Sequence, residues 1–121
     1  MSKYHNTKTC IDGIEFDSKK EARRYVILRE LLEKRQISDL KTQVRYELIP
    51  TQREPDTVGK RGGVKKGKVI YHACTYIADF VYFDNRINEW VVEDTKGFRT
   101  PEYTIKKKLM LWVHGIKIKE V

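Results

Sequence analysis

Histidine and cysteine are in short supply in this chain, and acidic residues are outnumbered by basic ones; each imbalance narrows the possible explanations. The three histidines, His5, His72 and His114, have no mutual spacing suited to a zinc site or a catalytic triad, which leaves at most a DNA contact for His5. Cys10 and Cys74 stand far apart with no CxxC pair, so neither a disulfide framework nor a structural zinc is expected, and a reducing cytoplasm is the simpler setting. No apolar run approaches the length of a membrane span, and the polar opening Met1-Ser2-Lys3-Tyr4-His5-Asn6 lacks an apolar signal core, so no membrane partner is expected. Against 17 Asp plus Glu stand 25 Lys plus Arg, a net charge of +8 that favours a polyanionic partner. Hydrophobic residues make up 40% of the 121 and are spread throughout, which suits one domain over 1–121 with its own core.

What is present divides into clear segments. Thr9 to Phe16 carries Asp12-Gly13 between apolar residues and predicts a short hairpin. Ser18-Lys19-Lys20-Glu21 fits the S-x-x-E capping box and opens a helix to about Arg35, with Glu21, Tyr25, Leu28 and Leu32 on one buried stripe. Leu40, Thr42, Val44, Tyr46 and Leu48 alternate with Lys41, Gln43, Arg45 and Glu47, a half-buried strand with Gln43 on its polar face.

From Pro50 to Lys68 the pattern collapses into Pro- and Gly-rich sequence that reads as a long mobile loop. It carries Arg53, Lys60, Arg61, Lys65, Lys66 and Lys68 against Glu54 and Asp56, a net +4 that is half the charge of the chain. Strand character resumes from Val69 to Asp84 and again from Glu89 to Lys96, across the polar break Asn85-Arg86-Ile87-Asn88. Thr100-Pro101-Glu102 is a helix start, Gly115 a left-handed stop, and Ile116 to Val121 a last strand. Strand, helix, strand with short links implies a parallel crossover. The predicted architecture is α/β, a mixed sheet flanked by helices with an N-terminal hairpin, and Tyr25, Trp90 and Trp112 are expected in its core.

The chemistry lies in the second hairpin. If Asp84 faces Glu89, counting outward pairs Phe83 with Trp90, Val81 with Val92 and Asp79 with Asp94. Alternation then brings Asp79, Asp94 and Lys96 out on one face and sends Glu93 to the other, which excludes Glu93 from the set. Two carboxylates about 5 Å apart at Cβ repel unless something positive sits between them. Singly, each acid reads as a solvated side chain or a surface ion pair. Together they share a face with Val81, Phe83, Trp90 and Val92, where charge is costly unless paired or bound to metal. Mg²⁺, or Mn²⁺ in its place, takes hard oxygen ligands such as Asp79, Asp94 and the backbone carbonyl of Thr95. Lys96 is placed to orient a water or meet developing negative charge, and Glu21 reaches the same region if the first helix packs across the hairpin face.

Asp79 followed by Glu93-Asp94-Thr95-Lys96-Gly97, with a helical Glu21 ahead, resembles the PD-(D/E)XK nuclease superfamily. The stretches DGIEFDSKKEARRY, YIADF, VVEDTKG and TPEYTIKKKL…GIKIKEV are similar to a family of small phage and prophage proteins assigned to that superfamily, over roughly Tyr4 to Val121. The resemblance implies a restriction-endonuclease-like α-β-β-β-α-β core and a Mg²⁺-dependent endodeoxyribonuclease working in the bacterial host cytoplasm. It makes Asp79 and Asp94 metal ligands, Lys96 the catalytic lysine and Glu21 the helical acid, direct or through water. Ala78 stands where the name-giving proline would be. Gln43 resembles a glutamine found near related sites.

DNA is the expected partner, with Lys60, Arg61, Lys65, Lys66 and Lys68 of the 50–68 segment and Lys107 of the second helix as candidate phosphate contacts. Branched DNA such as a four-way junction is the expected substrate, and paired cuts on it would need a homodimer. The alternatives are a binding module on the same fold that does no chemistry, and a restriction-type enzyme whose base-reading element would be the 50–68 segment.

Overall fold

A computed structural model describes residues 8–96 and 98–121, so His5 lies outside the described residues. The chain opens with a small antiparallel hairpin, β1 (Thr9–Ile11) and β2 (Ile14–Phe16), turning at Asp12 and Gly13, both at positive φ. Helix α1 (Lys19–Glu33) is capped by Ser18, whose hydroxyl accepts from the Glu21 N–H at 3.1 Å. Asp12 accepts from Arg29 and, at 3.1 Å, from the Tyr25 hydroxyl, which ties this hairpin to the helix.

Four strands make the central sheet: β3 (Ile37–Ile49), β8 (Cys74–Asp84), β9 (Glu89–Asp94) and β10 (Lys119–Glu120), in the spatial order β10-β9-β8-β3. β3 and β9 run antiparallel to β8, and β10 runs parallel to β9 after crossing over through α2 (Pro101–His114). Thr100 caps α2 by accepting from the Tyr103 N–H, and Gly115 ends it at φ 68. The protein is therefore α/β, with a mixed sheet and, among the described residues, two helices. No helix among the described residues is long and apolar enough to cross a membrane.

Two hydrophobic clusters cover the two faces of the sheet. Phe16, Ala22, Tyr25 and Leu28 from the hairpin and α1 pack on Ile37, Phe80 and Tyr82. Tyr103 and Met110 of α2 pack with Ile118 on Leu48, Tyr76, Ala78, Val81 and Val92. Strict alternation would put Tyr76, Ala78, Phe80 and Tyr82 on one face, yet they divide between the clusters, so β8 changes face at Asp79. β3 does the same: Leu40 packs with the α1 cluster, Val44 and Tyr46 with the α2 cluster, and Gln43 between them sits at φ 53. Thr42↔Phe80 and Val44↔Ala78 bracket Gln43 and Asp79, so both irregularities fall at one level of the sheet. A non-glycine residue in the left-handed region inside a strand is uncommon, and its cost of about 1–3 kcal/mol has to be met by surrounding contacts.

Several expectations are corrected. The 50–68 segment is no structureless loop but part of an arm. β4 (Gln52–Arg53) pairs with β7 (Val69–Tyr71), and β5 (Thr57–Val58) pairs with β6 (Val64–Lys65), beyond the ends of β3 and β8. The Val69–Asp84 strand is interrupted at His72 and Ala73, and the last strand shrinks to Lys119–Glu120. In α1, Leu31 rather than Leu32 packs against the core. Tyr25 is buried as expected, but Trp90 is 58% exposed, edge-on to Phe83, and Trp112 is 85% exposed.

Candidate active site

The acidic residues meet where β9 ends and β8 changes face. The hairpin register is the predicted one, with Asp84↔Glu89, Phe83↔Trp90 and Val81↔Val92 paired, and it carries on to Phe80↔Glu93. The expected Asp79–Asp94 pair is not among those of the register, because alternation fails in β8, which changes face at Asp79, while it holds in β9. Asp94 follows Val92 onto the α2 side, whereas α1 covers the opposite face, contrary to the expectation that it lies over the face of Asp94. Glu21 still reaches the site because it sits in the first turn of α1, level with the bend at Asp79 and Gln43.

Each carboxylate is held by a different partner. Glu21 is buried and its Oε1 accepts from Gln43 Nε2 at 2.9 Å. Asp79 Oδ2 accepts from the Thr95 N–H at 2.7 Å, joining β8 to the chain as it leaves β9. Asp94, 1% exposed, accepts from the Tyr76 hydroxyl at 2.5 Å through Oδ2. Its Oδ1 lies 3.2 Å from Lys96 Nζ, but without hydrogen-bond geometry. Among the described residues, Asp94 Oδ1 and Thr95 Oγ1 are buried with no hydrogen-bond partner. Lys96 Nζ also lies 4.7 Å from the centre of the Tyr103 ring, a cation–π contact, and the Lys96 carbonyl accepts from Lys20 Nζ at 3.0 Å.

The charges feel one another. Burial first, then Asp79, Asp17 and Asp94, push the Glu21 carboxyl up to about 7, with Lys96 opposing. Burial also raises Asp79 above the usual carboxylate range, with Asp94 adding to the rise; the Thr95 N–H and Lys96 oppose it. Burial and the neighbouring Asp94 push the Tyr76 hydroxyl up, so it stays a donor. Glu93 points the other way. Fully buried on the α1 side, it takes both Arg24 Nε at 2.8 Å and Nη2 at 2.7 Å, and also accepts from Tyr82.

The donor set suits a hard divalent cation: three carboxylates, all oxygen, with one buried oxygen of Asp94 lacking a hydrogen bond. Among the described residues no group of three His, Cys, Asp or Glu side chains stands ready as a metal cage. Glu21, Asp79 and Asp94 are instead each bonded to protein donors while remaining electrostatically coupled.

The candidate nucleic-acid contacts divide. Lys60, Arg61, Lys65, Lys66 and Lys68 are exposed on the arm and have no ion-pair partner among the described residues. Lys107 differs, because its ammonium lies 2.6 Å from Glu120 Oε1, and Arg99 holds the other oxygen at 2.6 Å. Lys107 therefore shares a single carboxylate with Arg99, unlike the arm cations just named. Lys20, Tyr76 and Tyr103 complete the site and escaped the sequence reading. Tyr76 stands an odd number of residues before Asp79, so alternation assigns it the opposite face, and only the bend brings it to Asp94. Gln43 did carry a sign, its resemblance to a glutamine near related sites.

No curated protein and no solved structure matches the chain. A family model described as "Protein of unknown function (DUF1064)" matches residues 1–118. Spanning nearly the whole sequence, that match makes the chain a member of the DUF1064 family.

Proposed function

We propose that the chain is a metal-dependent endonuclease of the PD-(D/E)XK type that hydrolyses phosphodiester bonds in DNA. One observation carries this: acids from α1, β8 and β9 are brought together, buried or half-buried, with Glu21 and Asp79 raised in proton affinity, beside a lysine on the chain leaving β9. Such an arrangement lowers stability unless a cation or a reaction uses it, which is the usual mark of a functional site. Glu21, Asp79 and Asp94, with the Thr95 carbonyl, would hold Mg²⁺ or Mn²⁺. When bound, that ion supplies charge stabilisation at phosphoryl oxygens and a more acidic water.

The remaining work falls to the chain. Lys96, restrained between Asp94 and the Tyr103 ring, orients the attacking water or meets negative charge developing on the phosphate. The Thr95 N–H fixes Asp79, the Tyr76 hydroxyl fixes Asp94 and Gln43 fixes Glu21, so three carboxylates keep their orientation before substrate arrives. The basic arm draws in the phosphate backbone. The net charge favours a polyanion and the resemblance a nuclease in a phage or prophage setting; from that setting branched DNA is the substrate class proposed, cut in pairs if two copies act together.

A second reading has an observation of its own. Each acid already accepts from a protein donor, and among the described residues they form no ready cage, as a DNA-binding module without chemistry would allow. A cleavage panel separates the two. Four-way junction, flap, duplex and single-stranded DNA are incubated with Mg²⁺, with Mn²⁺ and with EDTA. Metal-dependent nicking, strongest and symmetric on the junction, is expected; tight binding with no nick on any substrate in either metal would leave the binding module.

A further inference from the structure

The arm is more than a string of positive charges. Val58 and Val64 are direct cross-strand partners near its end, and they are 75% and 71% exposed. Next to them, Thr57 pairs with Lys65, so alternation puts the two valines together on one side of the ribbon and Lys65 on the other. Beyond them the chain turns tightly through Lys60 and Arg61, closed by Gly59 N–H to Gly63 O at 2.7 Å and Gly62 N–H to Gly59 O at 3.0 Å. At the base, Glu54 N–H donates to Lys68 O at 2.8 Å and Gly67 N–H to Asp56 at 2.9 Å. Arg53 also donates to Gly67 O, at 3.1 Å. A Cβ at Gly67 would stand 1.8 Å from the Glu54 carbonyl oxygen, so only glycine lets the strands close here. This is an ordered ribbon. At about 3.3 Å per residue, the ten steps from Pro50 to Lys60 reach at most about 33 Å.

An apolar pair has no reason to face water at the end of such a ribbon for folding's sake. A cross-strand valine pair contributes only about 0.2–1 kcal/mol to its own hairpin, and it covers no core here. Lys60, Arg61, Lys65 and Lys66 around it lack ion-pair partners among the described residues, so the complementary surface is strongly negative. Polyanion outside and stacked apolar planes inside describe a nucleic-acid duplex. A two-stranded ribbon fits a groove of B-DNA, and apolar side chains that enter between base steps unstack them and kink the helix.

Resting on the view that the chain binds DNA, we infer that the arm is a groove-entering wedge: Val58 and Val64 push between base pairs while the four surrounding cations hold phosphates on either side. The wedge bends or opens the DNA that lies against the acidic site. It would favour substrates already unstacked, such as junction centres, because less stacking is given up there.

The test runs in EDTA, so that cleavage plays no part. A duplex and a four-way junction carry 2-aminopurine, a base whose fluorescence rises on unstacking, and donor and acceptor dyes at the ends report bending. Wild type is expected to raise the 2-aminopurine signal several-fold at saturation and to shorten the end-to-end distance. Val58→Ser with Val64→Ser should lose both signals with an unchanged thermal midpoint, whereas Val58→Leu with Val64→Leu should keep them. The proposal is overturned if the serine pair unstacks DNA as wild type does, or if wild type binds with no rise in signal. It is equally overturned if sedimentation shows the serine pair turning a dimer into a monomer, which would make the valines an interface between copies. Failure of the nuclease proposal looks different: unstacking in EDTA with no nick in Mg²⁺ keeps the wedge and removes the enzyme, and nicking without unstacking does the reverse.

Discussion

The acidic site and the basic arm carry opposite charges in opposite ways. At the site, Glu21 and Asp94 are buried, every carboxylate has a protein donor, and the cost appears as raised proton affinity on Glu21 and Asp79. On the arm, Lys60, Arg61, Lys65, Lys66 and Lys68 are exposed and have no ion-pair partner among the described residues, and the ribbon that holds them is built from backbone bonds and glycines. Crowded charge that persists against its own repulsion is the usual mark of a functional site. Dispersed charge on a projecting ribbon points to contact with something large and anionic, where many weak attractions add.

The comparison breaks most visibly at the acids. Asp79→Ala or Asp94→Ala is expected to abolish cleavage while DNA binding stays level or improves, since a carboxylate near phosphate helps only through its cation; gel-shift and nicking assays on the same samples check this. Lys96→Ala comes next. It removes the charge beside Asp94 without removing a proposed ligand, so single-turnover cleavage should fall by about 10²–10⁴-fold with the fold intact. Were Lys96 only a surface ion-pair partner, the substitution would cost under about 1 kcal/mol of stability and activity would stand.

Joint neutralisation of Lys60, Arg61, Lys65 and Lys66 sharpens the other side. Binding should weaken, and the log–log salt slope should flatten by about 0.9 for each duplex phosphate that the variant no longer neutralises. An unchanged slope would reduce the arm to a connector.

The smallest effect is one of stability and carries the opposite sign to its effect on function. The folded-state carboxyl of Glu21 lies at about 7 against an ordinary 4.5, so the folded chain holds the proton more tightly than the unfolded one. Stability of the metal-free protein therefore falls as pH rises from about 4.5 through about 7, and the penalty is complete above that. Glu21→Gln removes the charge and keeps an acceptor for Gln43. It should stabilise the metal-free protein at pH 8 by on the order of 1–3 kcal/mol, a gain that fades by pH 4, and it should slow cleavage. Denaturant melts at the two pH values read the sign.

Much of this was legible in the residues. The capping box at Ser18 and Glu21, the hairpin across Asn85–Asn88, the Thr100-Pro101 helix start and the Gly115 stop are local signals, and local geometry realises them. The parallel crossover into β10 follows from short links. Three features were not legible. The bend at Gln43 and Asp79 depends on both strands breaking step at one level, which no single-strand periodicity reveals, and with it went the positions of α1 and Tyr76. The arm was hidden because two-residue strands among glycines and prolines carry no alternation to read. Trp90 and Trp112 looked like core because large aromatics usually are, and nothing in sequence spacing shows that α2 turns Trp112 outward.

The central claim is that Glu21, Asp79 and Asp94 together hold a divalent cation that the chain uses to cut DNA. Mg²⁺ titration read in two ways on one preparation tests it most directly: the thermal midpoint without DNA, and the single-turnover nicking rate with junction DNA. The midpoint should rise with Mg²⁺ as a ligand that binds only the folded state requires. The nicking rate should climb from zero over a comparable range, and Asp79→Asn with Asp94→Asn should show neither response. A flat midpoint and no nicking up to millimolar Mg²⁺ or Mn²⁺, in a protein that still binds the junction, would contradict it.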